Sequence, residues 1–170
     1  GTPSSGGSMC GTIDKCFITG NPGSGIRTQN TEHMNQITVI GNRIQGNQRY
    51  AIEITERANT WHISGNDIEG NYLGGIYAPS LRSFAILCNY YEPYSGSPNS
   101  PILMEGEAGD VIEAGIIAGN MLSNGGYSID YGIKLVDGGA LRGVEIAGNW
   151  LGNYDTAAIM STSGTLKDLN

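Results

Sequence analysis

The chain has 170 residues, of which 27 are Gly, 39% are hydrophobic and only 15% are charged, and its formal net charge is −7. This length suits one ordinary domain or a segment of a longer protein, and the apolar content is sufficient for a core. The scarcity of Leu and Lys argues against a bundle of surface helices. An acidic balance without a Lys/Arg run argues against nucleic acid as a partner, and no apolar stretch approaches the length of a membrane span.

The first residues differ in composition from the rest of the chain. Residues 1–9 are rich in Gly and Ser and contain no basic and apolar leader, so we expect a flexible linker or a cloning remnant there. A single domain is expected over residues 10–170. The three cysteines, Cys10, Cys16 and Cys88, are too few for a disulfide framework, and we expect buried free thiols.

A repeat of six copies runs along the chain and predicts its architecture. The copies follow the pattern apolar-x-apolar-x-x-Asn-x-apolar, although the first copy is degenerate and one copy has Gly in the first slot, and a Gly precedes the Asn in five of the six. The asparagines of the copies, spaced by 21, 24, 23, 31 and 29 residues, are Asn21, Asn42, Asn66, Asn89, Asn120 and Asn149. The apolar segments around each Asn alternate with period two and contain many β-branched residues, which is typical of short strands.

Each copy also contains a second short apolar segment, usually opened by Gly or Ala. These predicted strands lie at 25–26, 51–54, 75–78, 101–104, 132–135 and 158–160. A unit of ~20–30 residues with two or more short strands is one turn of a solenoid, whose apolar face only the neighbouring turns can bury. We therefore predict an all-β fold, a single-stranded right-handed parallel β-helix of about six coils that is open at its C-terminal end.

A leucine-rich-repeat horseshoe is the alternative fold, because it shares the spacing of the repeat. In that fold Leu fills most apolar slots, and a helix or a 3₁₀ stretch follows the Asn. Here Ile and Val fill the slots, and Gly-rich segments follow the Asn, which makes helix nucleation unfavourable.

The repeated asparagine is predicted to be structural. Asn tolerates the left-handed conformation of tight turns, and amides in coils ~4.8 Å apart can hydrogen-bond along the stack. The inward slots of the repeat are expected to hold core side chains, among them Trp61, Ile63, Phe84, Ile86, Ile117 and Ile146.

The unit Ile-x-Gly-Asn-x-Ile-x-Gly-Asn, followed by Gly-Ile-x-Ile, extends over about Ile13 to Ile159 and resembles the parallel β-helix repeat of the pectate-lyase-like superfamily. That superfamily contains polysaccharide lyases and hydrolases, carbohydrate-binding proteins and bacteriophage tailspikes. The resemblance implies recognition of a bacterial surface or cell-wall glycan, outside the cell or on a virion. A fragment of a tailspike or of a secreted carbohydrate-active protein is expected, and tailspike-type organisation implies a homotrimer.

The sequence lacks the motifs of the best-known activities of this superfamily. It contains neither the polygalacturonase clusters Asn-Thr-Asp, Asp-Asp, Gly-His-Gly and Arg-Ile-Lys nor the pectate-lyase segment Arg-x-Pro-x-x-Arg. His33 and His62 stand apart without neighbouring ligands, so no metal ion or other cofactor is expected.

Aromatic residues supply the candidate binding site. Eight of the nine tyrosines lie between the Asn of a repeat and the second strand that follows, so stacking of the coils predicts a ridge of tyrosines along one edge. Tyr91 is expected to fill a turn interior, and Trp150 to face outward beside the ridge. Sugar rings pack their C–H faces on aromatic planes. The predicted substrate-binding residues are Tyr72, Tyr94, Tyr127 and Trp150.

Acidic residues beside two insertions, 90–101 and 105–113, supply the candidate catalytic groups. Glu105 and Glu107 are predicted to lie beside the ridge as acceptors for sugar hydroxyls or as an acid/base pair. Glycoside hydrolysis requires two carboxylates ~5–9.5 Å apart, a spacing that neighbouring coils provide. An enzyme of this kind would be a glycoside hydrolase or a polysaccharide lyase. The alternative function is that of a non-catalytic structural shaft or assembly domain of a viral or surface fibre.

Overall fold

The computed structural model describes residues 10–28, 34–55, 57–95, 100–136, 140–161 and 166–167. The regular elements within these ranges are 20 β-strands, and the strand pairings between them are parallel. The expected linker 1–9 lies outside the described residues. The predicted all-β fold is confirmed.

The strands form three sheets, which the chain visits in the same order in every coil. The first sheet contains β1 (Gly11–Asp14), β4 (Met34–Ile40), β7 (Ala58–Ser64), β10 (Leu81–Arg82), β11 (Ala85–Leu87), β14 (Val111–Ala118), β17 (Ala140–Ala147) and β20 (Leu166–Lys167). The second contains β2 (Phe17–Thr19), β5 (Arg43–Gln45), β8 (Asp67–Glu69), β12 (Tyr90–Glu92), β15 (Met121–Leu122) and β18 (Trp150–Leu151). The third contains β3 (Ile26–Arg27), β6 (Tyr50–Glu53), β9 (Gly74–Tyr77), β13 (Ile102–Glu105), β16 (Tyr131–Val136) and β19 (Ala157–Ser161). The molecule is a right-handed parallel β-helix, and the six strands of the second and third sheets match the predicted coil number.

The core is a stack of inward side chains, each packed on its register partner in the next coil. In the first sheet Ile63 pairs with Val39 below and with Ile86 above, and all three are 0% exposed. Branched side chains suit this position because they pack well on a pleated surface. Trp61 and Phe84, which are 2% and 3% exposed, confirm the prediction that these aromatic slots face inward.

Five asparagines form a first ladder at the turn between the first and second sheets: Asn42, Asn66, Asn89, Asn120 and Asn149. The amide Nδ2 of Asn66 donates to Oδ1 of Asn89 at 2.9 Å and to the carbonyl of Val39 at 2.9 Å. Its Oδ1 accepts from the main-chain N–H and the Nδ2 of Asn42, each at 3.0 Å. The predicted asparagine stack is confirmed.

A second ladder, at the turn between the second and third sheets, consists of Asn21, Asn47 and Asn71. The prediction that Asn21 heads the series of Asn42 is therefore wrong. In the first coil the slot of Asn42 belongs to Cys16, whose main-chain N–H donates to Asn42 Oδ1 at 2.9 Å. The second and third coils carry a ladder asparagine at both turns, and the first coil carries one only at the second turn.

The residue before each asparagine of the first ladder adopts a left-handed conformation. Gly41, Gly65 and Gly119 have φ values of 63°, 60° and 64°, and Cys88 takes the same slot with φ 52°. The prediction of buried cysteines is wrong, since Cys10, Cys16 and Cys88 are free but exposed. Cys88 is exposed because it replaces a turn glycine, and Cys16 because it lies at a turn of the first coil.

Candidate functional site: an aromatic ridge and an acidic cleft

Three exposed tyrosines follow the second-sheet strands of three successive coils, and we call Tyr72, Tyr94 and Tyr127 the tyrosine ridge. Their exposed fractions are 48%, 49% and 39%. The rings of Tyr72 and Tyr94 are in contact, with centroids 5.9 Å apart and planes tilted by 49°. A Cβ built on Gly125 would lie 3.1 Å from the Tyr127 ring and 3.2 Å from Pro93, so Tyr127 borders the coil of Tyr94. Three of the four predicted binding residues therefore share one edge.

The ridge begins where the second asparagine ladder ends. Because Glu69 and Glu92 are register partners, continuing the pairing aligns Pro93 with Gly70 and Tyr94 with Asn71. Gly70, in the same slot, donates its N–H to the carbonyl of Glu92 in the next coil, whereas Pro93 has no N–H to donate upward, so this series of hydrogen bonds ends there. Local sequence thus explains why Tyr94 is exposed where an asparagine would be buried.

Several tyrosines of the predicted ridge lie elsewhere. Tyr91 is 1% exposed and faces the core, as expected for a turn interior. Tyr154 also turns inward, where its hydroxyl donates to the carbonyl of Leu122 at 2.8 Å and burial raises its pKa. Tyr50 stacks on Tyr77 with ring centroids 5.0 Å apart and planes 18° from parallel. A tyrosine that lies between an Asn and the next strand can therefore face either the core or the solvent.

Trp150 lies on the outer face of the second sheet, and its exposed fraction of 56% confirms the predicted outward slot. Its register partner is Met121, which is 49% exposed and follows Tyr90 in the same column. Trp150 therefore belongs to a sheet face next to the ridge, whereas the ridge itself lies at a turn.

The middle coils of this outer face carry a charged group that sequence reasoning missed, and we call Arg43, Asp67, Glu69, Tyr90 and Glu92 the second-sheet face. Arg43 pairs with Asp67 at 3.4 Å and with Glu69 at 3.2 Å. The Tyr90 hydroxyl donates to Glu92 at 2.6 Å, and this bond is the main cause that raises the pKa of Tyr90 to about 12. Burial, followed by the charge of Glu69, raises the pKa of Asp67. The signal available in the sequence was the alternation of these residues with buried Ile68 and Tyr91.

Glu105 and Glu107, the predicted catalytic pair, line one acidic cleft of about 510 Å³ together with Asp110 and Tyr77. The main-chain N–H of Glu107 donates to Asp110 Oδ2 at 2.9 Å, and Lys134 lies 3.4 Å from Glu105. Burial raises the pKa of Tyr77, and the carboxylates of Glu105 and Glu53 raise it further. Sequence reasoning found the two glutamates and missed Asp110 and Tyr77.

A buried carboxylate anchors the turn that leads to the third sheet. Glu53 is 3% exposed and accepts hydrogen bonds from Arg49 and from the Ser24 hydroxyl. Arg27, in the preceding coil, also pairs with Glu53, with an N–O distance of 3.6 Å. Both arginines are therefore committed to Glu53.

The ridge and the cleft lie at opposite ends of the third-sheet strands. Tyr94 precedes β13, and Glu105 is its last residue. A strand of this length spans about 13 Å. The structure therefore brings the two glutamates together with each other but does not set them beside the ridge.

The comparisons with known proteins concern the fold. A family model described as a right handed beta helix region matches residues 6–90, which is half of the chain. The chain belongs to this family. Comparison of this β-helix protein with curated proteins and with solved structures gave no match. Its coils continue past residue 90 with the same register, as the pairings of β13 with β16 and of β16 with β19 demonstrate.

Two features are absent from the described part of this β-helix protein. Within the described ranges, no group of three or more His, Cys, Asp or Glu side chains is arranged to hold a metal ion. The described residues also contain no helix with the length and apolar character needed to cross a membrane.

Proposed function

We propose that this β-helix protein binds a bacterial surface or cell-wall polysaccharide along its tyrosine ridge. It would act outside the cell or on a virion, as part of a bacteriophage tailspike or of a secreted carbohydrate-active protein. The observation that carries the proposal is the exposure of Tyr72, Tyr94 and Tyr127 by 39–49% in three successive coils. A polysaccharide repeats along its length as the coils do, so consecutive sugars meet consecutive rings.

Physical chemistry supports this surface as a binding site. Scattered exposed aromatic residues are ordinary, but a contiguous patch marks an interaction surface. Sugar C–H faces pack on such rings, and nearby polar groups accept or donate to the hydroxyls. Ser123 and Asn124 lie in the same turn as Tyr127, where their side chains accept hydrogen bonds from the main-chain N–H groups of Gly125 and Gly126. The Ser123 hydroxyl keeps its own proton to donate to a sugar. Because the ladders fix the coils below, little conformational entropy is lost on binding.

A glycan array tests the proposal with the wild type and the double variant Tyr72→Ala/Tyr94→Ala. The variant should lose about tenfold or more in affinity, while its stability stays within about 1 kcal/mol because the rings are exposed. Phe17→Ala is the matched control, since Phe17 is 61% exposed but lies outside the ridge. Trp150→Ala tests separately whether the glycan extends onto the outer face of the second sheet at Trp150.

Two outcomes would reject glycan binding at the ridge. If light scattering shows that the tyrosine variant dissociates a trimer, the ridge is an assembly interface of a tailspike-type shaft. If the wild type binds no glycan on the array, the structural-shaft function takes precedence.

Hydrolysis of the glycan is a second candidate function, and the position of Glu105 and Glu107 in one cleft favours it. One carboxyl would protonate the leaving oxygen while the other acts as base or nucleophile. Release of oligosaccharides by the wild type, lost in Glu105→Gln and in Glu107→Gln but retained in Glu113→Gln, would support it. Glu113 is the control because it pairs with Arg82 at 3.3 Å outside the cleft. Wild-type binding without release of product would reject catalysis.

A further inference from the structure

Resting on the proposed function, we infer that the tyrosine ridge takes an uncharged polysaccharide and excludes polyuronates and other polyanions. The inference comes from the carboxylates of the second-sheet face, which adjoin the ridge, from the acidic cleft at the far end of the third-sheet strands, and from the pairing of nearby cations with protein carboxylates. It deepens the proposed function by naming the charge class of the ligand.

One flank of the ridge is the second-sheet face. Glu69 and Glu92 are register partners in neighbouring coils, and they precede Tyr72 and Tyr94 by three and two residues. Three carboxylates, those of Asp67, Glu69 and Glu92, face a single paired cation on this surface, Arg43. The flank therefore retains an excess of negative charge beside the rings.

Arg49, a cation in the turn stacked on that of Tyr72, is paired with a protein carboxylate. The carbonyl of Arg49 accepts a hydrogen bond from the N–H of Leu73, the residue after Tyr72, so the two turns are stacked. The Arg49 guanidinium donates to both carboxylate oxygens of Glu53, at 3.2 and 3.0 Å. Glu53 is 3% exposed, so diverting Arg49 to a sugar carboxylate would weaken the pairing of a buried charge. An anionic glycan would therefore have to compete with Glu53 for this arginine.

A second group of carboxylates lines the acidic cleft, at the far end of the third-sheet strands from the ridge. Glu105, Glu107 and Asp110 line the cleft, and the Lys134 ammonium forms an ion pair with Glu105 at 3.4 Å. The raised pKa values of Tyr90 on the second-sheet face and of Tyr77 in the cleft both include contributions from neighbouring carboxylates. A polyanion bound along the ridge is therefore repelled chiefly by Glu69 and Glu92, and the more distant cleft adds to this repulsion at low salt, where screening is weak.

The experiment compares acidic polysaccharides with their own carboxyl-reduced forms, which keep the backbone and lose the charge. At low salt the wild type should bind the reduced form at least about tenfold more tightly than the native acidic form, and the difference should shrink in high salt. The variant Glu69→Gln/Glu92→Gln should reduce the ratio of the two affinities roughly threefold at low salt. The variant Glu113→Gln/Glu145→Gln, which removes two charges from the outer face of the first sheet, should leave it unchanged.

The outcomes separate the inference from the proposed function. Equal or tighter binding of the acidic forms at low salt overturns the charge inference and leaves glycan binding intact. A difference that Glu69→Gln/Glu92→Gln does not narrow also overturns it, because the flanking carboxylates then do not select the ligand. Failure to bind either form of any polymer rejects the proposed function and the inference with it.

Discussion

Asn66 stands in the middle of the first ladder and is 1% exposed. Its amide takes part in four hydrogen bonds, two as donor and two as acceptor. Asn66→Ala leaves those partners buried without it, so we expect the free energy of unfolding to fall by about 2–4 kcal/mol. Chemical denaturation measures this loss. Asn153→Ala, at an exposed position outside both ladders, should change stability by less than about 0.5 kcal/mol, and equal losses would contradict the structural role of the ladder.

Asp67 on the second-sheet face predicts a pH dependence. Burial and Glu69 raise its pKa, so the folded state favours the protonated carboxyl more than the unfolded chain does. Its contribution is therefore most favourable in acid and is lost as the pH rises through the unfolded and then the folded pKa. Asp67→Asn, which is permanently neutral, should stabilise the protein at pH 7 by a few tenths of a kcal/mol, since the side chain is 41% exposed.

Thermal unfolding of the Asp67→Asn variant at two pH values measures this gain. In acid, where Asp67 itself is protonated, the variant and the wild type should unfold at the same temperature. Asp155→Asn, at an exposed position away from the second-sheet face, is the control and should leave the unfolding temperature at pH 7 nearly unchanged. A variant less stable than the wild type at pH 7 would mean that the Arg43 pairing outweighs burial and repulsion.

At the scale of the element, the first-sheet strands depend on complementary volumes in neighbouring coils. Gly115 occupies an inward slot, where a Cβ would lie 2.1 Å from the ring of Phe84. Gly115→Val should therefore destabilise the protein by about 1–3 kcal/mol through overpacking. Adding Phe84→Leu should recover part of that loss, as a double-mutant cycle would detect. Gly23→Ala, where a Cβ meets no atom within 4 Å, is the control, and an equal loss there would argue against overpacking.

The strands and turns also show which structural features the sequence predicts and which it does not. Strands with a strict apolar alternation, such as Trp61 to Ile63, are predictable because period two fixes both the conformation and the buried face. Asn21 was misassigned because asparagine serves two different turns, and identity alone does not distinguish them. Glu53 reads as an outward charge, yet it is 3% exposed and accepts a hydrogen bond from the Ser24 hydroxyl of the preceding coil. Such partners lie a full coil away in sequence, where local patterns carry no information.

At the scale of the whole molecule, the described elements are strands in three parallel sheets. Far-ultraviolet circular dichroism should therefore give a β spectrum with little helical signal. A leucine-rich horseshoe of helical type would instead contribute strong helical bands. A spectrum dominated by helix would contradict the β-helix, whereas Asn66→Ala should alter the unfolding transition and keep the native spectrum.

The fourth coil contains more residues than the third, yet the ladder amides of both coils stack at the same spacing. Asn66 and Asn89 are 23 residues apart, and Asn89 and Asn120 are 31 apart, yet the amide contacts are 2.9 and 3.0 Å. The rise from one coil to the next is thus insensitive to how much chain the coil contains, because the hydrogen bonds between strands and between ladder amides set it. New segments grafted after Tyr94 would therefore be displayed at a fixed height, and variation in what this edge presents would leave the pitch of the scaffold untouched.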